Sequence, residues 1–183
     1  MLYCDIMKTI RWAEICEEGE CLHVATIELS RMRPPARHRH DFYECFLVLG
    51  GRGRHLTAVG EEILKSGALY CVRPEHAHAI VGHEDLVFLN LAFEAGAFEA
   101  VSGLAGFPRS CWEMGAAIHA LRLDDGQVRQ VVEAAAEAVG DRSRRGAAWL
   151  LLGIGRILGR DARRATVLPE WFAEGLNQAR AEA

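Results

Sequence analysis

The sequence lacks three features that would place it in common classes of protein. Its six cysteines form no Cys-x-x-Cys pair, and Cys45 and Cys71 lie in apolar patterns, which predicts buried, reduced thiols. The net charge of −4 means that the chain as a whole lacks the positive charge typical of nucleic-acid-binding proteins. The longest apolar run, residues 147–154, contains Gly153 and is far too short to cross a bilayer.

These absences favour a globular, cytoplasmic protein without membrane contact. The first residues carry charged side chains and no apolar core, so we expect no signal peptide. Half of the 183 residues are apolar, which is enough for the core of one domain, with or without a helical appendage. An arginine-rich stretch at 142–164 is interpreted as a solvated helix face.

The run from His38 to Glu44 is the most informative stretch of the chain. It contains His-x-His-x-x-x-Glu in a segment with a strand-like pattern. Side chains two and four residues apart lie on the same face of an extended chain, so His38, His40 and Glu44 project to one side. Two imidazoles and a carboxylate are good ligands for a divalent transition metal. The segment around His76 and His78 can supply a fourth ligand.

Short strand patterns separated by turns extend from about residue 22 to residue 93. The candidate strands are 22–29, 40–49, 54–59, 61–65, 68–72, 79–81 and 86–93. Many short strands with regular turn signals predict a mainly β sandwich or barrel. In a small barrel a metal site belongs inside, which agrees with the shared face of the three candidate ligands.

Helical patterns follow the strands. A short helix at 97–104 and a last strand at 118–123 precede two amphipathic helices, the first capped by Asp124. The apolar stripe of the second helix consists of Ala147, Leu150, Leu151, Ile154, Ile157 and Leu158. We expect this wide stripe to pack on the barrel and on a partner subunit; packing on its own barrel alone is the alternative. Pro169 begins a further helix.

Two motifs of the chain resemble those of the cupin superfamily. The first motif is His-x-His, three or four residues, Glu, six residues and Gly, and the matching residues are His38, His40, Glu44 and Gly51. The second is Gly, a strand, Pro, a short turn and His, and the matching residues are Gly67, Pro74 and His78. His78 comes one residue earlier than usual.

The cupin resemblance implies a fold and a ligand set. The fold is a double-stranded β-helix, or jelly-roll, barrel over residues 1–123, followed by an α-helical hairpin. The implied metal ligands are His38, His40, Glu44 and His78, with His78 preferred to His76 because it is nearer the motif spacing. Zinc, nickel, iron and manganese all suit these ligands, and the ligand types do not choose among them.

The order of barrel, helical pair and Leu-Pro-x-Trp at 168–171 resembles the N-terminal half of AraC/XylS-type transcription regulators. Within that family it is most similar to the subgroup that controls chitobiose utilisation. The resemblance implies that the barrel senses a small molecule, a sugar in this subgroup, and that a helical hairpin at 124–164 forms a homodimer. Residues 165–183 would begin a linker helix towards a DNA-binding half that this chain does not contain.

Two classes of function therefore remain. The first is the sensor domain of a regulator, with His55 and His76 as predicted ligand-binding residues and no DNA binding by this chain alone. The alternative is a small metal-dependent cupin enzyme, an isomerase or dioxygenase, whose metal would polarise a carbonyl group or activate oxygen. An enzyme would also need a general acid or base, and only spare histidines are candidates. The helical tail favours the sensor.

Overall fold

The chain forms a jelly-roll barrel with helices packed against one side, as seen in a computed structural model. The structure describes residues 7–30, 36–105 and 119–165. The elements in chain order are β1 (Lys8–Ile10), α1 (Trp12–Ile15), β2 (Leu22–Leu29), β3 (His38–His40), β4 (Tyr43–Thr57), β5 (Gly60–Ile63), β6 (Ala68–Val72), β7 (His78–Phe93), α2 (Ala95–Ser102), β8 (His119–Arg122), α3 (Asp125–Ala138) and α4 (Arg144–Ala165). The strands form one sheet in the order β1-β3-β7-β4-β6-β8, with β2 paired to β7 and β5 to β4.

A long, bent antiparallel pair of strands, β4 with β7, is the centre of the barrel. The two strands pair along almost their whole length, with irregular register between Val48 and Gly53. The predicted breaks between strands 40–49 and 54–59 and between strands 79–81 and 86–93 are therefore wrong, because both positions are bends inside continuous strands. Gly51 has a φ of +76°, and a Cβ there would lie 2.1 Å from the carbonyl oxygen of Asp85. Glycine bends the ladder here because no side chain fits.

The His-rich segment is divided between two strands rather than lying on one. β3 ends at His40 and β4 begins at Tyr43, with a bend at 41–42. The carboxylate of Asp41 accepts a hydrogen bond of 2.6 Å from the backbone nitrogen of Trp12, at the start of α1. The backbone nitrogen of Asp41 donates to the carbonyl oxygen of Ile10 at 3.3 Å. This N-terminal segment, whose strand β1 runs parallel to β3, was not predicted.

The alternating side chains of β4 bury two different faces. Phe46 and Val48 pack with Tyr70 and Phe88 on what we call the inner face of the barrel. The intervening residues, such as Leu47, pack on the opposite side in a cluster that includes residues of α2, α3 and α4. A strand that is buried on both faces has a continuous apolar sequence, which explains the run from 45 to 48.

The helices that the structure describes largely follow their sequence patterns, and the helix predicted to begin at Pro169 lies outside the described residues. Asp124 caps α3 in a reciprocal capping box with Gln127. Cys45 and Cys71 are buried thiols whose sulfur atoms lie 3.9 Å apart, as predicted for reduced cysteines. Among the described helices, none is long and apolar enough to span a membrane.

The apolar stripe of α4 packs on its own chain. Its six residues are all buried in the cluster that joins the helices to the barrel, and the most exposed of them are only 6 % exposed. The expectation that this stripe also contacts a partner subunit is therefore wrong. The stripe packs within its own chain, which was the alternative. The apolar side chains of α4 that remain exposed are Trp149 and Leu152, at 48 % and 47 %.

We predict that Leu151→Ala strongly destabilises the fold. Leu151 is fully buried, so its truncation leaves a cavity and should lower the free energy of unfolding by about 2–5 kcal/mol. The matched control is Leu104→Ala, because Leu104 is 83 % exposed and should change stability by about 0.5 kcal/mol or less. Urea denaturation followed by circular dichroism measures both, and equal effects would contradict the assigned packing of α4.

Candidate metal centre

Three ligand atoms from three strands converge on the inner face. His40 lies on β3, Glu44 on β4 and His78 on β7. The Nε2 atom of His40 lies 3.4 Å from Oε2 of Glu44, and Nε2 of His78 lies 3.2 Å from the same oxygen. All three atoms are within 4.8 Å of one another. The bend at 41–42 therefore preserves the convergence that a single strand was expected to give.

The three side chains are buried and electrostatically coupled. The side chains of His40 and His78 are 1 % exposed and that of Glu44 is 10 % exposed. Burial alone would raise the pKa of Glu44, but attraction to His78 and hydrogen-bonding contact with both imidazoles hold this pKa well below its usual value. Glu44 is therefore a carboxylate in the interior of the barrel.

The geometry of these atoms suits a metal ion. His40 Nε2, Glu44 Oε2 and His78 Nε2 are buried, and none makes a hydrogen bond of good geometry with any residue that the structure describes, despite their short separations. Buried polar atoms without partners are costly, and a divalent cation at their common focus would satisfy all three. Two imidazole nitrogens and a carboxylate oxygen fit zinc, nickel, iron or manganese.

The orientation of His40 is fixed by Phe42. The Nδ1 atom of His40 lies 2.6 Å from the carbonyl oxygen of Phe42; because a carbonyl only accepts, Nδ1 carries the proton. The Phe42 ring stacks on the imidazole with centroids 4.5 Å apart, and Trp12 packs on Phe42 from the side. This arrangement leaves Nε2 available as a ligand, as in metal sites with a hydrogen-bonded outer shell. Sequence reasoning missed Phe42.

His38 lies at the edge of the cluster. It is paired with His78 in the register of β3 and β7, and the two ring centroids are 4.8 Å apart. Its Nδ1 contacts the carbonyl oxygen of Ala36 at 3.4 Å. Burial, together with the nearby His78, lowers the pKa of His38 and favours the neutral imidazole that a metal requires. His38 is not part of the group within 4.8 Å, so the structure brings together three of the four predicted ligands.

The two predicted ligand-binding histidines have different environments. His55 is fully buried, and its Nε2 lies 3.1 Å from Nδ1 of His78. Burial, followed by the influence of His78, lowers the pKa of His55 to about 3, so this imidazole is neutral. His76 is partly exposed on the turn before β7, where its backbone nitrogen donates to the carbonyl oxygen of Arg73. Its role stays a prediction.

Two further polar residues lie on the inner face and were missed from the sequence. His23 is paired with Ala92, which is paired in turn with Glu44, so the three side chains share a face. Asn90 lies two residues before Ala92 and therefore faces the same way. His23 Nδ1 and Asn90 Oδ1 are buried without a hydrogen-bond partner in the described part of the chain. The alternation of side chains between the two faces of β2 and β7 could have placed both residues on the inner face from the sequence.

This barrel, with its His/Glu cluster inside and helices outside, has the architecture of a cupin sensor domain. Residues 19–152 match the family described as AraC-like ligand binding domains, and the chain belongs to that family.

The chain is also similar to individual proteins. The HTH-type transcriptional activator RhaS of Yersinia pestis (strain Pestoides F) is 37% identical over 76 residues, which are 40% of this chain and 28% of RhaS. The chain thus matches less than a third of the length of that relative. Apo ToxT K231A from Vibrio cholerae strain SCE256 shares the fold, with a TM-score of 0.59 and 8% identity over 81% of this chain and 58% of ToxT. A cupin protein from Bacteroides fragilis has a TM-score of 0.39 and 21% identity over 42% of this chain and 68% of its own.

We predict that the purified protein binds one divalent ion per chain and that His40→Ala abolishes this binding. The variant removes one of the three converging ligand atoms, so that only two remain to hold the ion. The ion should stabilise the wild type by about 2.7 kcal/mol when free metal is about 100 times its Kd. His38→Ala should weaken binding less, because His38 lies outside the three-atom group.

Metal content after dialysis and a thermal-shift titration measure these effects. The exposed His83 provides a matched control, because His83→Ala also removes an imidazole but not one of the three clustered ligands. A wild type that retains no more metal than His40→Ala after supplementation would contradict the metal centre.

Proposed function

We propose that this chain is the effector-sensing and dimerisation domain of an AraC-type transcription regulator, which binds a small sugar beside a divalent metal ion inside the barrel. The observation that carries the proposal is the set of buried, unpaired polar atoms on the inner face of a domain that belongs to the AraC-like ligand-binding family. The similarity to RhaS, a transcriptional activator by name, supports a regulatory role.

The proposed metal is held by His40, Glu44 and His78, with His38 as the nearest candidate for a fourth ligand. When bound, the ion supplies a Lewis acid to which an oxygen atom of the effector can coordinate. Glu44 contributes the negative charge that balances part of the ion's charge, and Phe42 keeps His40 in the required tautomer. These residues thus provide a charged anchor on the inner face of the barrel.

The remainder of the inner face suits a hydroxylated effector. His23 Nδ1 and Asn90 Oδ1 offer hydrogen bonds that the described residues do not use. Phe46 and Tyr70 stack on each other with centroids 4.7 Å apart and provide an apolar aromatic wall. Few oriented polar groups among apolar and aromatic side chains are the usual composition of small-molecule sites. Sugars present both hydroxyl groups and apolar C–H faces, which match this combination.

The structure of β4 offers a route from effector to helices. Glu44 and Phe46 face the inner side, whereas Leu47 packs in the cluster that contains α3 and α4. A displacement of this strand by an effector can therefore reach the helical hairpin through the apolar cluster to which Leu47 and the helices belong. We propose that α4 forms a homodimer contact through Trp149 and Leu152, because these large apolar side chains remain exposed.

We predict that a small sugar raises the melting temperature of the metal-loaded protein and that Asn90→Ala abolishes this shift. Asn90 is expected to donate to and accept from effector hydroxyl groups, so its truncation removes hydrogen bonds at the site without touching the metal ligands. A thermal-shift screen of monosaccharides, disaccharides and their phosphates, with and without metal, identifies the effector.

The same screen separates the sensor from the metal-dependent enzyme. Each stabilising compound is recovered and examined by mass spectrometry after incubation with the loaded protein. Unchanged compound supports a sensor, whereas a metal-dependent product would support the isomerase or dioxygenase alternative. If no compound of this chemistry gives a shift that Asn90→Ala removes, the sugar-binding proposal is contradicted.

We predict that the protein is dimeric and that Trp149→Glu and Leu152→Glu convert it to a folded monomer. Both side chains are about half-exposed, so a charge there disrupts a contact between subunits without entering the core. Light scattering coupled to size-exclusion chromatography measures the mass. Val59→Glu is the control, because Val59 is 69 % exposed on the β4–β5 turn. A wild type that is monomeric at micromolar concentration would exclude this assembly.

A further inference from the structure

We infer that His55 is a positioning residue for the metal ligand His78, whose coordinating tautomer it selects by accepting a hydrogen bond from Nδ1. This inference rests on the proposed metal centre and assigns His55 a role different from direct effector binding. It starts from one contact: Nε2 of His55 lies 3.1 Å from Nδ1 of His78, and both side chains are buried.

The proton positions follow from the chemistry of a neutral imidazole, which carries one N–H and one lone pair. The Nε2 atom of His78 faces Glu44 and the focus of the three ligand atoms, so coordination requires its lone pair there. The single proton of His78 must then be on Nδ1. The only role left for His55 Nε2 at 3.1 Å is that of acceptor, which places the proton of His55 on its own Nδ1.

The surroundings of His55 hold its ring in place. Phe46 and Tyr70 meet the imidazole nearly perpendicularly, with centroids 5.1 Å and 5.4 Å away. His55 is paired with Ile80 along the β4–β7 ladder, and Thr57 is paired with His78, so the two histidines lie at neighbouring inner-face positions on adjacent strands. The ladder thus fixes both ends of the hydrogen bond.

A histidine at this position is costly unless the hydrogen bond is used. Its Nδ1 is buried without a hydrogen-bond partner among the described residues, and an aliphatic side chain would fill the space beside two aromatic rings without that penalty. A space-filling role therefore does not account for an imidazole here. Orientation of His78 does, because metal-bound histidines usually have a hydrogen-bond partner at the second ring nitrogen, and loss of such a partner reduces metal affinity by about 10- to 100-fold.

The experiment compares His55→Leu with His55→Gln in the full chain. Glutamine keeps a carbonyl oxygen that can accept from His78 Nδ1, whereas leucine packs in the site but accepts nothing. Affinity for Co²⁺ and Zn²⁺ is measured by competition with a chromophoric chelator. We expect His55→Leu to lose about 10- to 100-fold in affinity and His55→Gln to recover most of it. The exposed His83→Gln serves as the matched control and should bind as the wild type does.

A second measurement reports the tautomer directly and requires no variant to fold. Long-range ¹⁵N–¹H correlation spectra of zinc-loaded wild type should show His78 protonated at Nδ1 and His55 protonated at Nδ1. His78 protonated at Nε2 in the loaded protein would overturn the assignment, and so would wild-type affinity in folded His55→Leu.

These outcomes are distinct from a failure of the metal centre itself. If the wild type binds neither Co²⁺ nor Zn²⁺, the metal centre is refuted, and the role of His55 falls with it. If the wild type and His55→Leu bind equally well, the metal centre stands and only the positioning role is refuted.

Discussion

The attraction between the Glu44 carboxylate and the imidazoles of His40 and His78 is the interaction on which the interior of this barrel depends. An isolated buried carboxylate would be protonated or would prevent folding, because its transfer from water is strongly unfavourable. Here the neighbouring imidazoles keep its pKa low, yet their hydrogen-bonding geometry is incomplete. The site is thus electrostatically compensated only in part, which is the condition in which a cation adds most stability.

The sequence motifs predicted that His40, Glu44 and His78 lie close together, and their ligand atoms lie within 4.8 Å of one another although a bend separates His40 from Glu44. Their role as metal ligands stays a prediction. The limits of β2 and β6 also match their predicted ranges. These predictions succeeded because they depend on local geometry and on the alternation between buried and exposed faces.

Features that depend on contacts between distant segments could not be predicted in this way. The glycines at 50, 51 and 82 signal turns, but the pairing of β4 with β7 carries both strands through these positions as bends. The wide stripe of α4 indicated two partners, whereas the barrel and the other helices cover it completely. The contact between His55 and His78 joins residues 23 positions apart in sequence, and only the strand register shows it.

The close approach of Gly51 to Asp85 has a consequence for the dimensions of the metal centre. β4 carries Glu44 before this bend and His55 after it, and both face the same interior. The angle of the bend therefore influences how far the carboxylate lies from the His55–His78 pair. A backbone contact with no chemistry of its own therefore takes part in positioning the side chains of the proposed metal centre.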